Sequence, residues 1–228
     1  MKIAVIVAMD KELALMLEMM PGYKTESAYG VTFYHGTTGK NDIVAAKCGI
    51  GKVNAALNTY KILKEIKPEL VINSGVAGGA GNGMSIGDVL VADSVAYHDV
   101  WCGPSTEYGA ADGLPVMLIP SRRISELADE LKADNNSIKK GLICSGDKFI
   151  TKAEEVAEIK SHFPDVKAID MESAPIAQTC MLNGVDFAIV RVVSDTPGEG
   201  ENVSQYQDFW QKAPQKTFAV VNRLLSEL

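Results

Sequence analysis

Three stretches of this sequence set acids against apolar residues, where carboxylates are costly to keep. Glu12 stands just past the run Ile3–Met9, in Met9-Asp10-Lys11-Glu12. Asp170-Met171-Glu172 follows Ala168-Ile169 with no basic residue beside it. Asp195 closes an apolar run that holds Arg191 between Val190 and Val192. An arginine inside a buried strand costs several kcal/mol unless it is paired, so Arg191 predicts a carboxylate close by. Several acids with no Ser–His or Cys–His pair suit acid–base cleavage of a glycosidic bond better than acyl transfer. One acid protonates the leaving group, another activates water, and a further anion steadies the developing oxocarbenium ion. Each acid also has a structural reading. Asp10 reads as a helix N-cap, and Glu12 is expected to point from the strand end into a crevice.

The elements that must position these residues are legible in outline. Ile3–Val7, Ile43–Ala46, Leu70–Ile72, Val89–Ala92, Ala168–Ile169 and Phe187–Val193 are short, apolar and largely β-branched. Such strands suit a sheet covered by helices on both faces. Helical spacing joins Leu13, Met16, Leu17 and Met20, and again Val53, Ala56, Leu57, Tyr60 and Leu63. Thr151 with Glu154 predicts a capping box, Ser173–Leu182 a helix with Pro175 in its first turn, and Phe209 to Leu225 a closing helix. The alternation predicts one α/β domain over residues 1–228, with an antiparallel excursion around Val31–Lys47. Tyr97–Pro120 lacks periodicity and reads as a functional or partner-contacting loop.

Composition narrows the function classes. A net charge of −7 disfavours a nucleic-acid partner, which calls for a basic face. The four cysteines form no Cys-x-x-Cys pair and read as buried thiols, and the three histidines lack metal-ligand spacing, so no metal is expected. No stretch approaches ~20 apolar residues, and the N-terminal run breaks at Asp10-Lys11-Glu12 without a small-residue cleavage site. A cytoplasmic protein without membrane contact is expected. Gly49-Ile50-Gly51-Lys52 fails the P-loop pattern, because Ala46 and Val53 occupy required positions. Gly75–Gly81 is not Gly-x-Gly-x-x-Gly, which argues against a dinucleotide cofactor. Both glycine segments read as loops at strand ends that let a ligand approach the backbone.

Seven motifs then stand in order: Ala8-Met9-Asp10-Lys11-Glu12, Gly49–Val53, Asn73–Gly79, Tyr97-His98-Asp99, Ser145–Ile150, Asp170-Met171-Glu172 and Arg191–Asp195. Together they resemble the 5′-methylthioadenosine/S-adenosylhomocysteine nucleosidases of the purine nucleoside phosphorylase superfamily, across essentially the whole chain. The resemblance implies a three-layer α/β/α fold with a mixed, partly closed sheet, a homodimer, a nucleoside substrate and no cofactor. By the same resemblance Glu12 activates water, Asp195 protonates adenine N7, and Arg191 helps fix Glu12 and the water. Glu172 and the Met171 backbone hold the ribose hydroxyls. Phe149 stacks on adenine, while the Ile150 backbone reads N1 and the exocyclic amine. Met9, Ile50 and the lid residue Tyr206 meet the ribose and the 5′ group, and Val76, Ala77, Gly78, Asp170 and Ser194 complete the binding set.

The chain departs from the family pattern at Val76, where Ser is usual, and at Asp170, where the family has Glu. The segment Val100–Pro115, which in the family lines the partner subunit's 5′ pocket, is individual here, with Trp101, Cys102 and Pro104. Three alternatives share the fold. A nucleoside phosphorylase would need arginines around phosphate, one in the loop after the first strand, where this chain carries Glu12. An aminodeoxyfutalosine hydrolase would use the same site. A catalytically dead nucleoside-binding protein would be expected to have lost Glu12 or Asp195, and both are present.

Overall fold

The computed structural model describes residues 1–81, 83–134, 137–212 and 215–228. The chain runs β1 (Lys2–Val7), α1 (Asp10–Glu18), β2 (Lys24–Ala28), β3 (Val31–Thr38), β4 (Asn41–Lys47), α2 (Lys52–Ile66), β5 (Leu70–Gly79) and β6 (Val89–Tyr97). It continues with α3 (Arg122–Asp134), β7 (Ile138–Ser145), α4 (Ala153–His162), β8 (Val166–Asp170), α5 (Ser173–Leu182), β9 (Asp186–Asp195), α6 (Asn202–Lys212) and α7 (Gln215–Glu227).

One mixed sheet takes the order β2-β3-β4-β1-β5-β8-β7-β6-β9, and β9 also pairs with β5. That extra pairing closes β5, β8, β7, β6 and β9 into a ring, while β1 to β4 extend from it as a wing. The wing contains the expected antiparallel excursion, β3–β4, and adds the antiparallel strand β2 at its edge. Period-2 alternation assigns β1 to both layers. Ala4 and Ile6 pack towards Ile62, Leu63 and Ile66 of α2 and Ile176 and Ala177 of α5. Ile3, Val5 and Val7 face Leu13 and Met16 of α1, Ile124 and Leu131 of α3, and Val221 and Leu224 of α7. Helices on both faces give the three-layer architecture that continuously apolar strands require. No described helix is long and apolar enough to cross a membrane.

Several local expectations need correction. The segment Gly75–Gly79 is not a loop but the second half of β5, paired with β9. Its glycines answer to space: a Cβ on Gly75 would lie 2.6 Å from Glu12 Oε1, and one on Gly78 would lie 2.4 Å from the Pro197 ring. The cap of α4 falls one residue later than expected, with Glu155 accepting from the Thr151 and Lys152 amides. Asp10 caps nothing. Its exposed carboxylate pairs with Lys47 at 2.7 Å, and Glu12 receives the N-cap amide instead. The single closing helix is two, α6 and α7; residues 213–214 between them lie outside the described residues. Helix α3 was not anticipated, and strand β7 escaped the pattern because Lys139 and Lys140 interrupt an otherwise apolar strand. Cys48, Cys144 and Cys180 are buried free thiols as expected, but Cys102 is exposed.

Candidate active site

Four acids reach one cleft from the ends of four different segments, and their hydrogen bonds separate them. A carboxylate has about four lone-pair directions to fill. Glu12, in the first turn of α1 and 2% exposed, accepts from the Ala8 and Met9 amides on Oε2, at 2.8 and 2.9 Å, and from the Val76 amide on Oε1, at 3.2 Å. This capping-box geometry holds the side chain against the end of β1 and leaves one direction free. Burial pushes its carboxyl above the usual range; the Arg191 charge and the three amides oppose that push.

Asp195 ends β9 and is also buried. The Ser194 hydroxyl donates to Oδ1 at 2.7 Å and the Asn202 amide to Oδ2 at 3.3 Å. Both donors are neutral, so burial dominates and raises the carboxyl pKa. Glu172, at the N-cap of α5, accepts from the Gly51 amide at 2.9 Å. Burial first, then the Asp170 charge, pushes it up to about 7.

Asp170 differs from all three. Its Oδ1 accepts from the Ser145 hydroxyl at 2.5 Å and the Ser173 amide at 3.3 Å, and its Oδ2 from the Ser173 hydroxyl and from Arg191 Nε at 2.8 Å. This is the carboxylate that the buried arginine demanded. Arg191 completes its fork with Asn73 Oδ1 and the Val190 carbonyl at 3.2 Å. Its guanidinium therefore acts on Glu12 through its field, with Nε and both terminal nitrogens bonded to Asp170, Val190 and Asn73.

The cleft is otherwise apolar. Met9 and Ile50 line one part of it, Val76, Ala77 and Gly78 the β5 edge, and Met171 and Ser194 the strand ends beside the acids. Phe149 and Tyr206 meet edge-on at its mouth, ring centroids 5.6 Å apart, and the Tyr206 hydroxyl reaches Met9 Sδ at 3.4 Å. The structure thus brings the expected residues together except two. Arg191 lies behind the wall, and Ile150 lines a small adjoining cleft with Phe149 and Asp195. The sequence reading missed Asn73 and Asn202, the partners of Arg191 and Asp195. Both are buried polar side chains, but an isolated asparagine gives no spacing signal. Burial pushes the Cys48, Cys144 and Cys180 thiols up, so none is a ready nucleophile. Among the described residues no group of His, Cys, Asp and Glu has the arrangement of a metal site.

Comparison with known proteins agrees with this geometry. Residues 2–226 match the family model of the phosphorylase superfamily. The 5′-methylthioadenosine/S-adenosylhomocysteine nucleosidase of Bacillus pumilus is 35% identical, over 100% of this chain and 99% of the relative. That of Actinobacillus succinogenes is 36% identical over 100% of both. Among solved structures, the Streptococcus pyogenes S-adenosylhomocysteine nucleosidase in complex with 5-methylthiotubericidin superposes with a TM-score of 0.95 at 31% identity, covering 100% of this chain and 97% of that one. The Neisseria meningitidis 5′-methylthioadenosine/S-adenosylhomocysteine nucleosidase in complex with methylthio-immucillin-A gives 0.94 at 36% identity, covering 100% and 99%. With a family model matched over residues 2–226, full-length identity of this order and superposition over the whole chain, the chain belongs to the 5′-methylthioadenosine/S-adenosylhomocysteine nucleosidase family of the phosphorylase superfamily.

Proposed function

We propose that residues 1–228 form one nucleosidase domain that hydrolyses the N-glycosidic bond of 5′-methylthioadenosine and S-adenosylhomocysteine, releasing adenine and the 5′-thio-substituted ribose. The observation that carries this reading is the pairing of Glu12 and Asp195 in one cleft, each buried and each with an unfilled acceptor direction. The free direction of Glu12 suits a general base for water. Asp195, raised by burial and facing neutral donors, suits a general acid that gives its proton to N7 as the bond to the sugar breaks. Glu172, bonded among the described residues to one amide, has acceptors left for the ribose hydroxyls. The aromatic face of Phe149, 44% exposed, is available to stack on the base.

Water rather than phosphate is the co-substrate in this reading. Glu12 would repel an anion, and Arg191 is already bonded to Asp170 and Asn73. Incubation with 5′-methylthioadenosine should release adenine and methylthioribose equally in phosphate-free and phosphate-containing buffer, and Glu12→Gln should abolish turnover. A phosphate requirement with a ribose 1-phosphate product would move the chain to the phosphorylases.

A homodimer completes the proposal. Helix α2 exposes Val53, Leu57 and Tyr60 in one stripe, beside Ile50 of the cleft, and Trp101 is 57% exposed. A second copy seated on this stripe would bring its Val100–Pro115 segment to the 5′ end of the cleft. Trp101→Ala should then change the relative turnover of different 5′ groups; an unchanged ratio counts against the segment's role. The four cysteines stand as free thiols, the state a reducing cytoplasm maintains.

A further inference from the structure

Asn202 opens α6 and is 3% exposed. Its Nδ2 donates to Asp195 Oδ2 at 3.3 Å and to the Ile150 carbonyl at 3.1 Å. An amide NH2 carries two hydrogens, so one side chain engages both the acid at the end of β9 and the backbone that leads into α4. On the proposed reading, those two groups meet adjoining edges of a single purine: Asp195 at N7, Ile150 at N1 and the exocyclic amine.

We infer that Asn202 is a positioning residue that fixes the separation between the proton donor and the base-reading backbone, and so aligns an adenine-type base for proton transfer. The inference rests on the hydrolase reading above. Its surroundings make Asn202 a fixed spacer. The Asn202 amide donates to the Glu199 carbonyl at 3.1 Å, and the Thr196 amide to Gln205 Oε1 at 2.8 Å, so the connection from β9 to α6 is tied at both ends. Gly198 lies against the first residue of α4; a Cβ there would be 2.9 Å from Ala153 Cα. One turn along the same helix, Tyr206 contacts Met9 at the sugar side. Helix α6 therefore reaches the two ends of the cleft through residues four apart, which share a helix face.

The chemistry gives the inference a signature that a purely structural residue lacks. A donor on a carboxylate oxygen favours the ionised form. Its removal leaves the effect of burial less opposed, and Asp195 keeps its proton to higher pH. With full-length Asn202→Ala, and Asn202→Leu as a variant of similar size that cannot donate, kcat for 5′-methylthioadenosine should fall about tenfold with a smaller change in KM. The alkaline limb of kcat/KM should move up by about half a pH unit, and turnover of 5′-methylthioinosine relative to 5′-methylthioadenosine should rise. Melting curves identify which variants are folded, and Asn202→Leu serves where Asn202→Ala is not. Folded variants with wild-type kcat, base preference and pH profile would overturn the inference, as would a lowered melting temperature as the only change. A wild-type protein without adenine release is a different result: it removes the hydrolase reading, and the inference falls with it.

Discussion

Asp170 and Asp195 end β8 and β9, the strands on either side of β5 in the ring, face the same cleft and are both buried, yet their surroundings assign them different work. Asp170 fills all four acceptor directions and has a guanidinium among its donors. Among the described residues Asp195 accepts only from a hydroxyl and an amide. A cationic partner with full hydrogen bonding turns a carboxylate into an anchor. Neutral donors and burial leave a carboxyl able to hold a proton and to release it. Exposure alone would have classed the two together.

The sharpest way to break this comparison is to neutralise each acid in turn. Asp195→Asn should lower kcat by roughly 10²- to 10⁴-fold with little change in melting temperature. Asp170→Asn should act the other way round. It leaves Arg191 without its anion, so unfolding free energy should drop by about 3–5 kcal/mol, read by denaturant titration. Equal stability losses in both variants would erase the distinction.

Smaller effects sharpen it. Glu172 is raised from an ordinary value near 4.5 to about 7. The folded protein therefore holds a proton there that the unfolded chain has lost, and this contribution to stability is present below about pH 4.5 and lost as pH rises through about 7. Melting temperature of the ligand-free protein should fall across that window, and Glu172→Gln should flatten the slope. A profile as steep in the variant would assign the effect to another group. Smaller still in its chemical change is Gly75→Ala. The added methyl would press on Glu12 Oε1, so kcat should fall through displacement of the base while the Asp170–Arg191 pair stays intact. Loss of stability at unchanged kcat would show that the strand, rather than Glu12, gives way.

Much of this site was legible in the sequence, because a charge in an apolar strand can be explained only by a partner. Arg191 announced its carboxylate, and strand-end acids announced a cleft. The choice of partner was not legible: Asp170, Glu172 and Glu12 all stood at strand ends, and only the ring decides which one reaches the guanidinium. The glycines misled for a related reason. Gly75, Gly78 and Gly79 read as a loop at a strand end that admits a ligand, whereas each makes room within β5 for a side chain distant in sequence, from Glu12 to Pro197. The capping role given to Asp10 went to Glu12 because only the residue two places on can fold back onto the Met9 amide. The fold outline came through where apolar runs were continuous, and failed at β7, where two lysines interrupt the run.

Strand β9 lies between β5 and β6 and closes the ring. It follows β1 to β8 in the chain, so during synthesis the ring stays open until Asp195 has left the ribosome. Glu12 is made early, but the acid that complements it, Asp195, enters only when β9 inserts. Pairings this distant in sequence form slowly. The nascent protein is therefore expected to hold a base without its acid, and to gain activity in a single late step rather than by degrees.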